Sequence, residues 1–307
     1  MCLLSVILTT YKSPWEKIAL TLDSIFSQNL NDFEIIIADD GTHNFPLRRI
    51  ESYMRDKSPQ PYRIIHNTKN VGTVRNVLNA AQKASGVYIK PIGAGDLLYN
   101  NKILKEVTEY MIALKSECCF GLIRGYVLEG DQYKTVDIKR PRVIQVYEEN
   151  DQKRIKENII LGDHPSGASM FYKRESAIRL WSHMVENTKT LYCEDVVTYQ
   201  LVLEGGVPSF YPHYVVWYEV NAGVSKRAKK SRINTMMYTD ILTYLEYLIQ
   251  AFPCDKKLLL KKLKWSKFQV MHPYHIERFL SYIWHPGKLW FELYVRNNSY
   301  SSTDFID

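Results

Sequence analysis

The chain has 307 residues, of which 46% are hydrophobic and 24% are charged, and its net charge is +7. This is the composition of a globular protein with one large or two modest domains, and it excludes a disordered tail, a collagen-like chain and a disulfide-stapled miniprotein. No apolar run reaches the roughly 18 residues that a membrane-spanning helix needs.

The N-terminus is predicted to form a first strand. Residues 1–8 lack a basic start and a small-residue cleavage site, so we expect no signal peptide. The five cysteines are odd in number and show no CxxC spacing, which argues against a disulfide framework or a zinc site. We therefore expect the protein in a reducing cytoplasm.

Apolar strands alternate with amphipathic helices up to residue 115. Strands are predicted at 3–10, 33–38, 62–66 and 87–92, and helices from Pro14, around 45–56, at 73–84 and at 100–115. This alternation is typical of βαβ units around a parallel sheet, in which the carboxyl ends of the strands form one ligand-binding edge.

The rhythm changes after residue 116. Strand-like segments are predicted at 119–128, 167–172 and 208–217, and helical segments at 151–160, 174–185 and 195–204. From about residue 233 the pattern is helical and rich in Tyr, Leu and Trp. We place a boundary near 220–232, where a first basic cluster occurs.

Acidic residues follow two of the predicted strands. Asp39 and Asp40 end the strand at 33–38, where a carboxylate can accept hydrogen bonds from a nucleotide base or a ribose, although Asp-Gly also favours a simple turn. Asp96 follows Gly93 and Gly95, which allow a ligand to approach the backbone. An aspartate there suits Mg²⁺ or Mn²⁺ carrying a diphosphate, or it simply caps a helix.

Two further positions carry candidate chemistry at helix starts. Arg75 lies in the first turn of a predicted helix and could contact phosphate or remain an exposed arginine. Glu194 and Asp195 precede an apolar helix, where acids usually stabilise the helix dipole. A catalytic interpretation requires one of them to take the proton of a substrate hydroxyl.

Several motifs in a fixed order resemble the family 2 glycosyltransferases of bacterial surface-polysaccharide assembly. The resemblance is strong over about residues 3–115, and its motifs are residues 5–11, 24–28, 34–42, 70–72, 86–89 and Asp96. It continues more weakly to about residue 225 through residues 165–169, Glu194–Asp195 and residues 221–225. The last 80 residues carry no motif of the family.

The resemblance implies an α/β GT-A fold with a helical C-terminal extension. The catalytic domain would span residues 1–225, with a nucleotide-sugar half at 1–115 and an acceptor half at 116–225, and a basic, aromatic helical region would span 226–307. Members of this family transfer a sugar from a nucleotide diphosphate donor, here expected to be a UDP-sugar, with inversion at the anomeric carbon. The expected acceptor is a hydroxyl of a glycan or a lipid-linked glycan.

The resemblance also assigns roles to individual residues. Asp195 would be the catalytic base, and Asp96 would bind the metal, Mn²⁺ or Mg²⁺, at the diphosphate. The nucleotide would be bound by Thr10, Tyr11, Asp39, Asp40, Arg75 and Gly95. The acceptor side would be formed by Ser166, Gly167 and Glu194.

The sequence departs from the family pattern in two places. The acidic motif Asp-x-Asp-Asp is replaced by Gly93-Ala94-Gly95-Asp96, so only its last acid is present. Asn221 stands where many members have a histidine. Metal-independent transfer, with Arg75 and Lys90 supplying positive charge, therefore remains an alternative, as does a catalytically inactive scaffold. His164 is expected to be an ordinary surface or hydrogen-bonded residue and not a second base.

The positive charge is concentrated in the C-terminal part. The chain has 40 basic and 33 acidic residues, and residues 221–307 hold 14 and 7 of them, which leaves 26 of each in residues 1–220. Basic residues beside Trp and Tyr suit contact of residues 226–296 with an anionic membrane at the inner face of the cell. Equally, the region could be a helical cap whose aromatics pack on the catalytic domain.

Other functions are disfavoured by missing motifs. No recognition motif accompanies the basic charge, so we expect no nucleic acid partner. A sugar nucleotidyltransferase would show a glycine-rich, basic phosphate loop near the N-terminus, and residues 8–17 lack one. A nicotinamide dehydrogenase is excluded because no G-x-G-x-x-G follows the first predicted strand.

Overall fold

A mixed sheet organises the protein. The computed structural model describes residues 2–129, 132–220 and 235–302. The strands in these residues are, in chain order, β1 (Leu4–Thr10), β2 (Phe33–Asp39), β3 (Tyr62–His66), β4 (Tyr88–Gly93), β5 (Leu97–Leu98), β6 (Cys118–Glu129), β7 (Gln132–Val136), β8 (Met170–Lys173) and β9 (Ser209–Glu219).

Helices flank the sheet and form the C-terminal region. Those in the described residues are α1 (Trp15–Phe26), α2 (Leu47–Lys57), α3 (Thr73–Lys83), α4 (Ile103–Leu114), α5 (Gln145–Glu148), α6 (Gln152–Leu161), α7 (Arg174–Asn187), α8 (Val197–Leu203), α9 (Met236–Ala251), α10 (Lys256–Met271), α11 (Arg278–Trp284) and α12 (Pro286–Asn297). No helix within the three described segments is both long enough and apolar enough to cross a bilayer.

The strand order is β3-β2-β1-β4-β8-β6-β9-β5, with β7 paired to β6 as a hairpin. The first four strands in this order are mutually parallel, as the βαβ pattern predicts. Antiparallel β8 then joins the parallel strands to β6, so one sheet continues from the first 115 residues into the part of the chain after residue 116. The predicted α/β fold class is confirmed.

Both faces of the parallel strands are covered, which explains their continuous apolar runs. Leu4, Val6 and Leu8 of β1 pack towards α1, α2 and α4. Ile7 faces the opposite side, where it belongs to the cluster that includes α3 and α7. This alternation is the two-residue period of a strand buried on both faces.

The elements that the sequence patterns missed are short or polar. β5 has two residues and α5 has four, which is too short for a periodic signal. β7 is largely exposed and carries no apolar alternation. Its partner among the described residues is the end of β6, so neither of its faces is covered and a strand pattern is absent. The other predicted strands and helices are confirmed, with bounds that shift by a few residues.

The C-terminal helices pack against the acceptor half. Ile241, Tyr244, Leu245 and Leu248 of α9 belong to the same apolar cluster as Trp181 of α7. The predicted boundary near 220–232 falls mainly on residues 221–234, which lie outside the described residues, as do Asn221 and the first basic cluster. The division at residue 225 therefore stays a prediction.

Candidate functional site

A cleft of about 660 Å³ lies at the carboxyl ends of the parallel strands, between the two halves of the sheet. It includes four of the predicted site residues from the acceptor side and one from the nucleotide half. These residues are Ser166, Gly167, Glu194, Asp195 and Asp96. The cleft thus brings together the predicted base and the predicted metal ligand, which are far apart in the chain.

Asp195 is buried in this cleft beside a histidine. The Nε2 atom of His164 lies 3.5 Å from Oδ2 of Asp195. Burial raises the pKa of the Asp195 carboxyl, but His164, the charge of Arg140 and the Gly167 N–H outweigh burial and lower that pKa below its ordinary value. The carboxyl of Asp195 is therefore ionised at neutral pH.

The neighbouring Glu194 has the opposite electrostatic environment. Burial and the negative charge of Asp195 raise the pKa of Glu194 well above its ordinary value. Two adjacent carboxyl groups with divergent pKa values are the arrangement expected where one must act as a base and the other must stay neutral. The opposite pKa shifts therefore favour Asp195, which is ionised, over Glu194 as the group that can accept a proton.

The loop that carries this pair is held by a residue of α9. Oδ2 of Asp240 accepts hydrogen bonds from the backbone N–H groups of Leu191, Tyr192 and Cys193, at 3.1, 2.6 and 3.3 Å. On its other side, the Leu191 carbonyl accepts a 3.0 Å hydrogen bond from the N–H of Val74 in α3. The C-terminal region thus fixes the segment directly before Glu194.

Asp96 lies beside a second acid, Glu219, at the end of β9. The N–H of Glu219 donates a 2.9 Å hydrogen bond to Oδ1 of Asp96. Burial raises the pKa of Asp96 to about 7, against the lowering effects of the Glu219 N–H and of Lys90. The Glu219 side chain forms an ion pair with Lys17 of α1 through Oε1. Its other oxygen, Oε2, is buried without a hydrogen-bond partner in the described structure.

Gly95 makes room for the carboxylate of Glu219. Gly95 has a φ of +107°, and a Cβ built there would lie 2.3 Å from Oε2 of Glu219. The Glu219 carboxylate therefore occupies the space that the side chain of an aspartate at position 95, as in the family's Asp-x-Asp-Asp motif, would need. An acid absent from the turn after β4 is thus present nearby on another strand.

The predicted base-binding residues at the ends of β1 and β2 are mostly engaged with each other. Asp39 accepts hydrogen bonds from the hydroxyl of Thr10 at 2.8 Å, from the N–H and hydroxyl of Thr42 at 2.7 Å each, and from Nδ1 of His66 at 2.9 Å. The aromatic ring of Tyr11 is exposed just beyond β1. Tyr11 is therefore the predicted base-pocket residue with a surface available to a ligand.

Asp40 organises the loop before α3. Its Oδ1 accepts a 2.7 Å hydrogen bond from the N–H of Val71, and its Oδ2 accepts a 3.0 Å hydrogen bond from the N–H of Gly72. Gly72 has a φ of +89° and packs against Leu191 of the Asp240-bound loop. The buried carboxylate of Asp40 thus sets the entry to α3, and its predicted contact with a nucleotide stays a prediction.

Replacing Asp40 should lower stability as well as nucleotide affinity. We expect Asp40→Ala to lower the free energy of unfolding by about 2 kcal/mol, because two N–H groups lose a charged acceptor. Denaturant unfolding measures this loss, and a nucleotide titration measures affinity. Asp32→Ala, at an exposed position, is the control and should change stability by less than about 0.5 kcal/mol. Unchanged stability of Asp40→Ala would contradict the structural role.

The two predicted sources of positive charge are not among the residues that line the cleft. Arg75 is exposed on α3, so its predicted contact with a diphosphate stays a prediction. Lys90 is fully buried, and its Nζ donates to the carbonyls of Ala168 and Met170 at 2.5 and 3.4 Å. Burial lowers the pKa of Lys90 to about 7, against the raising effect of Asp96. Lys90 therefore anchors the acceptor-side loop.

Sequence reasoning missed Arg140, Glu219 and Asp240. Arg140 lines the cleft and acts on Asp195, but it belongs to no predicted element. Glu219 follows a predicted strand, so an acid at a strand end was an available signal for it. Asp240 gave no such signal, because an acid in a helix is ordinarily solvated. His164, expected to be an ordinary surface or hydrogen-bonded residue, is instead buried and lies beside the predicted base.

The chain matches a family of known activity. Residues 5–181 match the model of Glycosyl transferase family 2, which is more than half of the chain. The chain is also 22% identical over 309 aligned residues to an uncharacterized glycosyltransferase of Haemophilus influenzae, covering 99% of this chain and 89% of that protein. Glu194 and Asp195 lie beyond the matched residues, so the family match does not extend to them.

Solved structures share the fold. The crystal structure of S. aureus TarS matches with a TM-score of 0.57 and 17% identity, covering 87% of this chain but only 43% of that one. A TarS fragment in complex with UDP-GlcNAc matches with a TM-score of 0.57, 19% identity, and coverage of 87% and 72%. The mannosyltransferase PcManGT from Pyrobaculum calidifontis, in complex with GDP-Man and Mn²⁺, matches with a TM-score of 0.55, 15% identity, and coverage of 85% and 68%.

Proposed function

Because the chain belongs to Glycosyl transferase family 2, we propose that it transfers a sugar, with inversion, from a nucleoside diphosphate sugar to a hydroxyl of a glycan or lipid-linked glycan. One observation carries this proposal: Asp195 and Asp96 line the same cleft, and Asp195 is held in its ionised form there. The cleft therefore offers a base on its acceptor side and an acidic site on its nucleotide side.

The proposed chemistry is a single displacement. The acceptor oxygen forms a bond to the anomeric carbon, the bond from that carbon to the diphosphate oxygen breaks, and the acceptor proton passes to Asp195. A positioned carboxylate contributes roughly 10²–10⁴-fold to such a rate. His164 and Arg140 keep Asp195 ionised before the reaction. Glu194 stays protonated, so it does not add a second negative charge near the departing diphosphate.

The residues around Asp96 suit a divalent cation, with Glu219 as a second acid. No group of three or more His, Cys, Asp or Glu side chains that could hold a metal occurs in the described parts of the chain. The carboxylates of Asp96 and Glu219 are nevertheless close together, and Oε2 of Glu219 has no hydrogen-bond partner among the described residues. Mg²⁺ and Mn²⁺ are well served by one or two carboxylates when phosphate oxygens complete the shell. Such a cation would stabilise the charge of the leaving diphosphate.

Removing the second acid should weaken metal binding at the site. We expect Glu219→Gln to raise the Mn²⁺ concentration needed for half-maximal activity by about tenfold or more. Mn²⁺ binding measured by calorimetry in the presence of a nucleoside diphosphate should weaken in parallel. Glu129→Gln is a matched control, because Glu129 forms an exposed ion pair with Lys134. An unchanged Mn²⁺ dependence of Glu219→Gln would remove Glu219 from the proposed site.

The donor is proposed to be a UDP-sugar. The TarS fragment of similar fold binds UDP-GlcNAc, and PcManGT binds GDP-Man. The acids Asp39 and Asp40 at the end of β2, beside Thr10 of β1, and the exposed ring of Tyr11 support a base pocket at this edge of the sheet.

A donor screen tests the proposed function. Release of nucleoside diphosphate is measured with UDP-sugars and GDP-sugars, with a lipid extract as acceptor source, and with and without Mn²⁺. We expect acceptor-dependent release with at least one UDP-sugar. Release with GDP-sugars alone would overturn the donor proposal, and no acceptor-dependent release with any donor would overturn the proposed transfer.

A further inference from the structure

The last two helices expose large apolar side chains. Phe279, Ile283 and Trp284 of α11 are 71%, 73% and 70% exposed, and Trp290 of α12 is 71% exposed. A side chain of this size normally buries most of its area, so four such side chains in a span of twelve residues are unusual for a surface in contact only with water.

Large exposed side chains occur in both helices. In α11, Phe279 and Ile283 lie one turn apart on the same face, and Trp284 is exposed at the end of the helix, while Ser281 is fully buried. In α12, Trp290 is exposed while Val295 is fully buried in the apolar core. Each helix therefore packs on the protein with one side and presents apolar rings with the other.

The adjoining helix supplies positive charge. α10 carries six lysines and no acidic residue between Lys256 and Met271. Its lysines at 256, 257, 264 and 267 are exposed. α10 lies against the two exposed helices. The ring centroids of Phe268 and His285, the residue between α11 and α12, are 5.6 Å apart, and the Lys261 side chain approaches Gly287 at the start of α12. Lys261 and Lys264 are thus the lysines of α10 beside the segment that joins α11 and α12, whereas Lys267 is paired with Glu246 of α9.

The sequence analysis left two interpretations of this region open, a membrane-binding surface and a packed helical cap, and they apply to different aromatic side chains. Trp265 and Phe268 of α10 are buried, and the ring centroids of Trp265 and Phe291 are 6.0 Å apart. These aromatics therefore form the helical cap that packs on the rest of the protein. Trp284 and Trp290 take no part in that packing and face outward. The packed cap leaves a second set of aromatic side chains available to a partner.

We propose that the C-terminal surface, formed by α10, α11 and α12, docks on an anionic lipid bilayer. Trp is favoured at the headgroup level of membranes, where its ring is buried and its N–H stays hydrated. Exposed lysines are attracted to an anionic lipid surface. Interfaces between proteins are instead depleted of lysine, which argues against a protein partner. This proposal goes beyond sugar transfer and does not depend on it.

Vesicle flotation with the full chain tests the proposal. We expect binding to phosphatidylcholine vesicles that contain about 30% phosphatidylglycerol, and weak binding to pure phosphatidylcholine vesicles. The double variant Trp284→Ser/Trp290→Ser should bind the anionic vesicles about tenfold less tightly, because two interfacial anchors are lost. Brominated lipid should quench tryptophan emission of the wild type more strongly than that of the double variant.

A matched control separates this surface from general hydrophobicity. Ile112→Ser/Leu114→Ser removes two other exposed apolar side chains, at the end of α4, and should bind vesicles like the wild type. Circular dichroism should show all three proteins folded. Equal vesicle binding by wild type and Trp284→Ser/Trp290→Ser would overturn the proposal. It would also be overturned if the wild type bound no vesicles and only its dimer dissociated in the double variant, because the surface would then bind a second copy.

Discussion

Asp195→Asn should reduce sugar transfer by roughly 10²–10⁴-fold and leave nucleotide affinity nearly unchanged. The amide keeps the shape of the side chain but cannot take the proton of the acceptor hydroxyl. Because Asp195 lies on the acceptor side of the cleft, with His164 and Gly167 as neighbours, the nucleotide half should be undisturbed. Steady-state transfer rates and a nucleotide titration measure the two effects separately.

Glu194→Gln is the matched control for this experiment. Since the pKa of Glu194 is raised by burial and by the charge of Asp195, its carboxyl is protonated at neutral pH, and a glutamine mimics that form. We expect Glu194→Gln to retain most of the wild-type rate. Transfer by Asp195→Asn at the wild-type rate would show that the base is another group. A loss confined to Glu194→Gln would assign the base to Glu194.

The second large effect is expected at Asp240, outside the cleft. Asp240→Ala should lower the free energy of unfolding by about 2–4 kcal/mol, because three backbone N–H groups lose their shared charged acceptor. The loop before Glu194 then loses its anchor. A displacement of about 1 Å in a catalytic group can cost 10²-fold in rate, so we expect kcat to fall by about that factor. Denaturant unfolding and kcat measure the two effects.

A conservative variant and a control on the same helix make this prediction specific. Asp240→Asn keeps an oxygen that can accept from the loop, so it should recover part of the activity lost in Asp240→Ala. Glu246→Ala removes another acid of α9, which only forms an exposed pair with Lys267, and should change stability by less than about 0.5 kcal/mol. If Asp240→Ala keeps the wild-type kcat, α9 does not position the catalytic loop.

The sequence by itself predicted the parallel half of the sheet and, through the family resemblance, one site that contains Asp40, Asp96 and Asp195. The apolar runs of β1, β2 and β4 are local signals of strands covered on both faces, and the helices between them enforce parallel pairing. Parallel strands end at one edge, so Asp96 could be predicted to lie at a cleft. The family resemblance assigned Asp195 to the same site. The structure places Asp96 and Asp195, but not Asp40, in the lining of one cleft, and the roles assigned to them stay predictions.

Only the tertiary structure decided which side chains support those acids. The contacts of Asp240 with residues 191–193, of Glu219 with Asp96, and of His164 with Asp195 each join segments separated by tens of residues or more. Local patterns report which face of an element is apolar, but they carry no information about which polar groups meet after folding. The same limit applies to the C-terminal aromatics. Buried and exposed rings occur in the same kind of helical sequence pattern, so the sequence could not predict which of them pack and which face solvent.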